Sequence, residues 1–396
     1  MISIRIPIFI ILLNLFIFLS NCKNELVCSI VDTNCNLLIG TLIQNNIESG
    51  RYRANLFFLP SGGVYEGDQF VRLSSDTVVT VRYTTDGSLP NCSSTPYTSP
   101  IQVSNSGTVI RAIACFGSRA SSNGVVNQAY TIKNSIAKLS DIVFWYSAQS
   151  LQPVEGARVT ALKDLSFSGN RNDLISGSQV SSSLGTPVIK TNTVNGQSSI
   201  VFSNANKTTL LTQNLKGITN VLQGALALVI KKSTNSVQDE PLLRIGSPYT
   251  IATGSGLATA GFSGTRNFEF RNSSNQFGLC SQNNNCSVAN SNAIPLNKVI
   301  ILLISFNGNS ITYSIPGEPN GDLSTTITGS LPLFSVPDTM VIGNFITLRS
   351  DLFTLDSEVM EIIYWNRPFS NTVDVPVVCP YLKEKYLVFG NINCGS

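Results

Sequence analysis

Three carboxylates crowd one short stretch of the 396-residue chain: Asp356, Glu358 and Glu361, in Asp356-Ser357-Glu358-Val359-Met360-Glu361. Retaining cleavage of a glycosidic bond needs two carboxyls about 5 Å apart on one face, and inverting cleavage needs them more widely set. The chain has little else with which to move a proton near neutral pH. It contains no histidine, which removes Ser-His-Asp and Cys-His nucleophiles, the HExxH zinc site and any imidazole switch. Catalysis would rest on carboxylates, lysine, tyrosine or a metal held by oxygen. A second set of residues could serve binding instead, because the CH-rich faces of pyranose sugars stack on aromatic rings. Trp145, Tyr146, Tyr364 and Trp365 are the candidates. Neighbours on a strand point to opposite faces, so part of each pair belongs to a core; Trp145 is assigned there, leaving Tyr146, Tyr364 and Trp365 as candidate stacking platforms.

The nine cysteines carry the next signal. Cys22 stands apart, directly behind an apolar run from Ile6 to Leu19 that follows Arg5. The run is too short for a bilayer span and reads as a signal peptide over residues 1–21. Its end, Leu19-Ser20-Asn21-Cys22, resembles the lipobox of bacterial lipoproteins, with Asn21 closer to the relaxed boxes of spirochaetes than to the Ala or Gly of enteric bacteria. The resemblance implies a lipidated Cys22 as mature N-terminus and the membrane as a partner. Lys23 in place of Asp favours the outer membrane and, from there, the cell surface. An ordinary secretory leader cut elsewhere would export the chain equally. The remaining eight cysteines form an even set, as an oxidising compartment would favour. Pairing by sequence neighbour gives Cys28 with Cys35, Cys92 with Cys115, Cys280 with Cys286 and Cys379 with Cys394. No pair has CxxC spacing, so metal ligation is the weaker alternative.

Charge excludes another class. Only 12% of residues are charged and the net charge of +3 is spread along the chain, so no basic patch marks a nucleic-acid partner. Residues 22–55 lack sustained periodicity and read as a tether, with Leu37 to Ile43 apolar enough to pair as an extra strand instead. Over residues 56–133, short β-rich runs alternate with Gly, Pro, Asn and Ser, as in a β-sandwich. Val79, Val81 and Tyr83 alternate with Thr80 and Arg82, and Asp86-Gly87 turns the chain. Tyr83-Thr84-Thr85-Asp86-Gly87-Ser88-Leu89-Pro90, then Thr108-Val109-Ile110-Arg111-Ala112-Ile113-Ala114, then Tyr130-Thr131-Ile132, resemble the small sandwich found C-terminally in chitobiases and β-hexosaminidases and beside some fucosidases. This implies a non-catalytic immunoglobulin-like module in which Asp86, Gly87 and Tyr83 are structural.

After a short linker near Asn134 to Ser140, residues 137–396 are long enough for one large all-β domain. Val299 to Phe306, Asn307-Gly308 and Ile311 to Ile315 form the strongest hairpin signal. Val143-Phe144-Trp145-Tyr146-Ser147-Ala148, Asn195-Gly196 before Ile200-Val201-Phe202, and Val341-Ile342-Gly343 resemble steps of the concanavalin A-like, laminin G-like superfamily. Glu358 to Arg367 followed by Tyr381-Leu382-Lys383-Glu384-Lys385-Tyr386 resembles its closing strand and helix. The resemblance implies a jelly roll of two antiparallel sheets, so the fold class is all-β: a small immunoglobulin-like β-sandwich, then a larger concanavalin A-like jelly roll. Pro376 and Pro380 fall in the closing helix, which should be short and start near a proline. Hydrolases of this fold use ExDxxE, whose order Asp356-Glu358-Glu361 does not follow, and Glu361 matches a structural position. Calcium occurs in the superfamily, but no DxDxDG-type cluster is present and no cofactor is expected.

These features point to a membrane-anchored, exported, non-catalytic module that binds or adheres to glycans or to host or matrix proteins. A carbohydrate-active enzyme or its accessory subunit is the alternative, and a structural envelope protein a third.

Overall fold

The computed structural model describes residues 52–65, 67–133, 135–203, 205–219, 223–233, 240–253, 256–271, 276–280, 286–288, 295–308, 310–315, 322–326, 339–343, 355–370 and 373–386. Cys22, Cys28, Cys35 and Cys394 lie outside them. The small sandwich packs a three-stranded sheet, ordered Leu56–Leu59, Gln69–Ser75, Ile101–Val103, on a six-stranded one. In the latter, Gly63–Tyr65 runs parallel to Val126–Ile132, which pairs with Thr108–Phe116, then Thr80–Thr84 and Thr95–Pro96. Alternation sends Val71, Leu73, Ile110, Ala112, Tyr130 and Ile132 into one core. Tyr83 packs against that core and meets Tyr97 edge-on at 6.4 Å. Asp86 Oδ1 accepts hydrogen bonds from the Ser88 backbone N–H at 3.0 Å and from its hydroxyl at 2.6 Å, and Gly87 takes φ +85°. The motif therefore works as a turn. The module also begins earlier than residue 56, since Ala54 is buried and its N–H donates to Ser121 Oγ.

Cys92 and Cys115 are disulfide-bonded, tying a loop to the Thr108–Phe116 strand across a separation of 23 residues. Closing a loop of this size restricts the unfolded chain by about 3 kcal/mol. Replacing both cysteines by alanine should lower the urea midpoint by a corresponding amount, and an unchanged midpoint would show that the link contributes nothing. Cys379 is likewise disulfide-bonded. Cys280 and Cys286 sit opposite each other in register on adjacent antiparallel strands.

The larger domain is two eight-stranded sheets face to face. One runs Val188–Val194, Gln197–Phe202, Ser357–Trp365, Gln223–Lys232, Val299–Asn307, Ser310–Ser314 and Asp322–Thr326, with Ile142–Ser147 also paired to Ser357–Trp365. The other runs Ala161–Leu162, Leu174–Ser176, Thr209–Thr212, Thr339–Gly343, Glu240–Thr253, Gly256–Arg271, Gln276–Cys280 and Cys286–Val288. Phe144, Phe202, Leu228, Leu243, Ile342 and Tyr364 fill the space between them. The runs Val299 to Phe306 and Ile311 to Ile315 pair as a hairpin, but the turn starts one residue later than the Asn-Gly pair: Asn307 ends its strand opposite Ser310, and Gly308 follows at φ +57°.

The first sheet is buried on both faces, which is why Ala225–Ile230 and Val299–Ile304 read as unbroken apolar runs. Its outer face, including Ala227, Ile301, Ile363 and Trp365, is covered by helix Val375–Tyr386, by the Ile136–Lys138 turn and by Phe70 of the small sandwich. Pro380 sits inside this 12-residue helix rather than ending it. A proline there costs about 3 kcal/mol, and the burial of Val378, Tyr381, Leu382 and Tyr386 offsets it.

The expected linker is itself part of this packing. Asp68, fully buried, accepts from the backbone N–H groups of Ile136 at 2.6 Å and Ala137 at 3.4 Å and from the Ser135 hydroxyl at 2.8 Å. It thereby satisfies the start of the turn with a side chain from the other module. Phe70 meets Trp145 edge-on at 6.0 Å, and Arg72 donates to Gln149. A Cβ on Gly67 would stand 2.3 Å from the Tyr381 ring, so only glycine allows the two modules to approach this closely.

Candidate functional site

Glu358 and Glu361 would face opposite ways on a regular strand. Instead Val229 pairs with Glu361 while Ile230 pairs with Val359, leaving Met360 as an extra residue. Such a bulge puts Met360 and Glu361 on the same, outer side. Neither carboxylate is open there. Glu361, 1% exposed, receives four donors: Trp145 Nε1 at 2.7 Å and Tyr381 Oη at 2.6 Å on Oε1, with Lys385 Nζ at 2.7 Å and Tyr386 Oη at 2.6 Å on Oε2. Burial pushes the Lys385 ammonium below its ordinary value against the pull of Glu361. Burial and then the Glu361 charge hold both tyrosine hydroxyls far above theirs, so the tyrosines stay protonated as donors. Lys385 Nζ also lies 4.9 Å from the centre of the Phe70 ring, a cation–π contact between the modules.

Glu358 accepts from Lys190 Nζ at 2.8 Å, Lys231 Nζ at 3.3 Å, Ser199 Oγ at 3.1 Å and Thr193 Oγ1 at 3.3 Å. Burial alone would raise its pKa, but the two ammonium groups outweigh this and hold it below its ordinary 4.5. The sign follows directly: a carboxyl depressed on folding stabilises the fold above pH 4.5 and loses that contribution as pH falls through the folded-state value. E358Q should therefore flatten the acid limb of a stability-versus-pH curve measured by urea titration. An acid limb as steep as that of the wild type would disprove the assignment.

The proposed stacking residues are corrected by burial. Tyr146, Tyr364 and Trp365 are each at most 2% exposed. Tyr146 and Tyr364 stack on Phe144 from either side, at 5.2 and 5.1 Å, and the Tyr146 hydroxyl donates to the Asn172 carbonyl. Trp365 is on the outer face, edge-on to Phe369 at 5.0 Å. Alternation assigned them to opposite faces correctly, but both faces of this sheet are covered.

Among the described residues Phe167, at 71%, is more exposed than Phe57, at 53%, and lies on the loop between Ala161–Leu162 and Leu174–Ser176. The loop is braced. Asp164 accepts from the N–H groups of Trp145, Ser166 and Asn172 at 3.0, 3.0 and 3.1 Å, and burial raises its pKa. Asn172, fully buried, donates to the carbonyls of Val143 and Lys216 and accepts from the Lys216 N–H. Phe167 and Ser168 line a groove of about 510 Å³ with Ser140 and Asp141 from the former linker and with Ser104 and Asn105 from the small sandwich. Ser104 and Asn105 also line an adjoining hollow of about 400 Å³ with Tyr83, Thr85, Gln102 and Thr108. Asn366-Arg367, of the closing-strand motif, fixes one wall. The Asn366 N–H donates to the Asp141 carbonyl at 3.0 Å. Arg367 ion-pairs with Asp141 at 3.1 Å and with the buried Asp374, whose hydrogen bond raises the arginine pKa. Sequence reasoning missed this groove. Its one local signal was an isolated aromatic in the polar stretch Ser166-Phe167-Ser168-Gly169-Asn170.

Among the described residues no group of three or more acidic, histidine or cysteine side chains could hold a metal ion, and no helix is long and apolar enough to cross a membrane. The chain is thus an all-β protein of two packed sandwiches with a groove where they meet. Residues 60–126, most of the small sandwich, match the family model of the chitobiase/beta-hexosaminidase C-terminal domain. No curated protein matches the chain. Similar solved structures include a Trypanosoma rangeli sialidase in complex with sialic acid, at 10% identity and TM-score 0.37, covering 72% of this chain and 44% of that one. The binding domain of botulinum neurotoxin serotype D is similar at 17% identity and TM-score 0.36, over 60% of this chain and 51% of that one. Domain 4 of a GH43 extracellular arabinanase from Geobacillus stearothermophilus, in complex with arabinotriose, is similar at 11% identity and TM-score 0.38, over 61% of this chain and 98% of that one. The chain thus spans less than half the length of the sialidase.

Proposed function

We propose that this protein is exported, lipid-anchored through Cys22, and binds glycans at the junction of its two modules without cleaving them. The observation that carries the reading is Phe167, held out to solvent by a braced loop and bordered by the apolar Ala137, Leu139 and Ile142 as well as by serine and asparagine side chains, a composition that suits a sugar with one apolar face and many hydroxyls. The match of residues 60–126 to a domain family of hexosaminidases supports the same ligand class. The absence of turnover rests on Glu358 and Glu361, each buried and ringed by donors, so that neither can approach a glycosidic oxygen. The anchor rests on the apolar leader ending at Cys22.

A glycan array probed with the full chain should show selective binding, and no binding to any glycan would refute the reading. Release of reducing sugar from a bound polysaccharide, abolished in E358Q or E361Q, would overturn the non-catalytic part. Cys22→Ser should release the protein from the membrane fraction and abolish labelling by radioactive palmitate, and persistent labelling would remove the anchor assignment.

A further inference from the structure

Resting on that glycan-binding reading, we propose that the groove takes a neutral, CH-rich pyranose oligosaccharide laid across both modules, and that docking of the small sandwich builds the site. Three observations point there. First, the two hollows adjoin at Ser104 and Asn105, which line both, so recognition surfaces run from Phe167 on the large domain to Tyr83 and Gln102 on the small one. Their volumes are those of small-ligand sites, and two adjoining hollows suit several sugar units rather than one.

Second, the charge is wrong for acidic sugars. Among the residues whose side chains are described, no lysine or arginine lines either hollow, and the charged residue that does is Asp141, whose side chain remains 57% exposed despite its pairing with Arg367. A sialic or uronic carboxylate would meet the Asp141 charge, and Arg367 behind it is already engaged by Asp141 and Asp374. Exposed Asn105, Ser140 and Ser168 offer donors and acceptors to neutral hydroxyls instead.

Third, the floor of the groove is wired to the docking contact. Ser104 hydrogen-bonds Asp68 and accepts from Gln102 Nε2 at 3.2 Å, while Asp68 grips the Ile136–Lys138 turn that leads into Ser140 and Asp141. Docking therefore sets the distance between the two walls. The components that bind sugar come from three separate parts of the chain, and only the packed arrangement brings them together.

The test titrates the full chain calorimetrically with maltotetraose, cellotetraose, chitotetraose and sialyllactose. At least one neutral tetrasaccharide should bind, and sialyllactose should bind at least tenfold more weakly. Phe167→Ala should weaken the neutral ligand about tenfold, the loss of one stacking face, and F167Y should restore it. Asn105→Ala, on the other module, should weaken the same ligand. D141N, which keeps the shape and removes the charge, should narrow the gap to sialyllactose. Neutral binding that F167A and N105A leave intact would place the site elsewhere and overturn this proposal while sparing the glycan-binding reading. Preference for sialyllactose would overturn the ligand class alone, and no binding by any glycan on the array would remove both.

Discussion

Glu361→Ala should cost the fold about 3 to 5 kcal/mol, the loss expected when one partner of a buried ion pair is removed. The substitution deprives Lys385, itself 8% exposed, of its counter-charge and leaves the Trp145 indole and two tyrosine hydroxyls without their acceptor. Each orphaned donor adds its own desolvation penalty. The two tryptophans of the chain, Trp145 and Trp365, are both buried against this cluster or beside it, so their fluorescence during urea unfolding reports the change directly. A loss below about 1 kcal/mol would mean that water or a rearranged lysine replaces the carboxylate, contrary to the geometry. Replacing Glu361 by Leu together with Lys385 by Met should recover only the part due to the unpaired lysine charge, because the Trp145 indole and the two tyrosine hydroxyls still lack their acceptor. Failure of that double variant would show that the network is needed for a unique arrangement of helix Val375–Tyr386.

Gly343→Ala should be nearly as damaging, at about 2 to 5 kcal/mol, for two additive physical reasons. Gly343 has φ +86°, where an L side chain costs about 1 to 2 kcal/mol. The new Cβ would also stand 2.4 Å from a Phe202 ring carbon and 2.7 Å from the Thr208 carbonyl oxygen, and overpacking of this kind costs about 1 to 3 kcal/mol. Gly308, at φ +57° with no heavy atom within 4 Å of its notional Cβ, isolates the first effect. Gly308→Ala should lose only the conformational part, about 1 to 2 kcal/mol. Equal midpoints for the two variants in urea titration would remove the packing explanation of Gly343.

Local features were legible in the chain. The Asp86-Gly87 turn, the Asn307-Gly308 hairpin and the Cys92–Cys115 link each depend on residues close together or within one sheet. So was the small sandwich, because strand alternation and turn spacing carry that signal, whereas the two-sheet form of the larger domain rested on its resemblance to a known superfamily. What could not be read was which sheet face meets water. Tyr146, Tyr364 and Trp365 alternate as strand residues should, yet a helix, a turn and a second module close the outer face, and such coverage leaves no periodic trace. The bulge at Met360 was hidden as well, since an extra residue changes facing without changing composition. The segment read as a linker looks like one because the neighbours in space of Ser135, Ile136, Ala137 and Leu139 are Asp68 and helix Val375–Tyr386, far away in sequence. The groove escaped for the same reason: Asn105, Asp141 and Phe167 are ordinary surface residues until folding sets them side by side.

The Phe70 ring against Lys385 has a consequence for inheritance. Small sandwiches of this kind are easily imagined as interchangeable beads, moved between proteins by recombination. Here Phe70 and Asp68 complete a charged cluster and a turn that belong to the neighbour. A transplanted copy would carry away an aromatic and a buried acid suited to one host only, and the bereaved host would lose the Phe70 part of the cover on its main sheet and the acceptor of its Ile136–Lys138 turn. The two modules of this chain are therefore fitted to one another, and exchanging either alone should destabilise both.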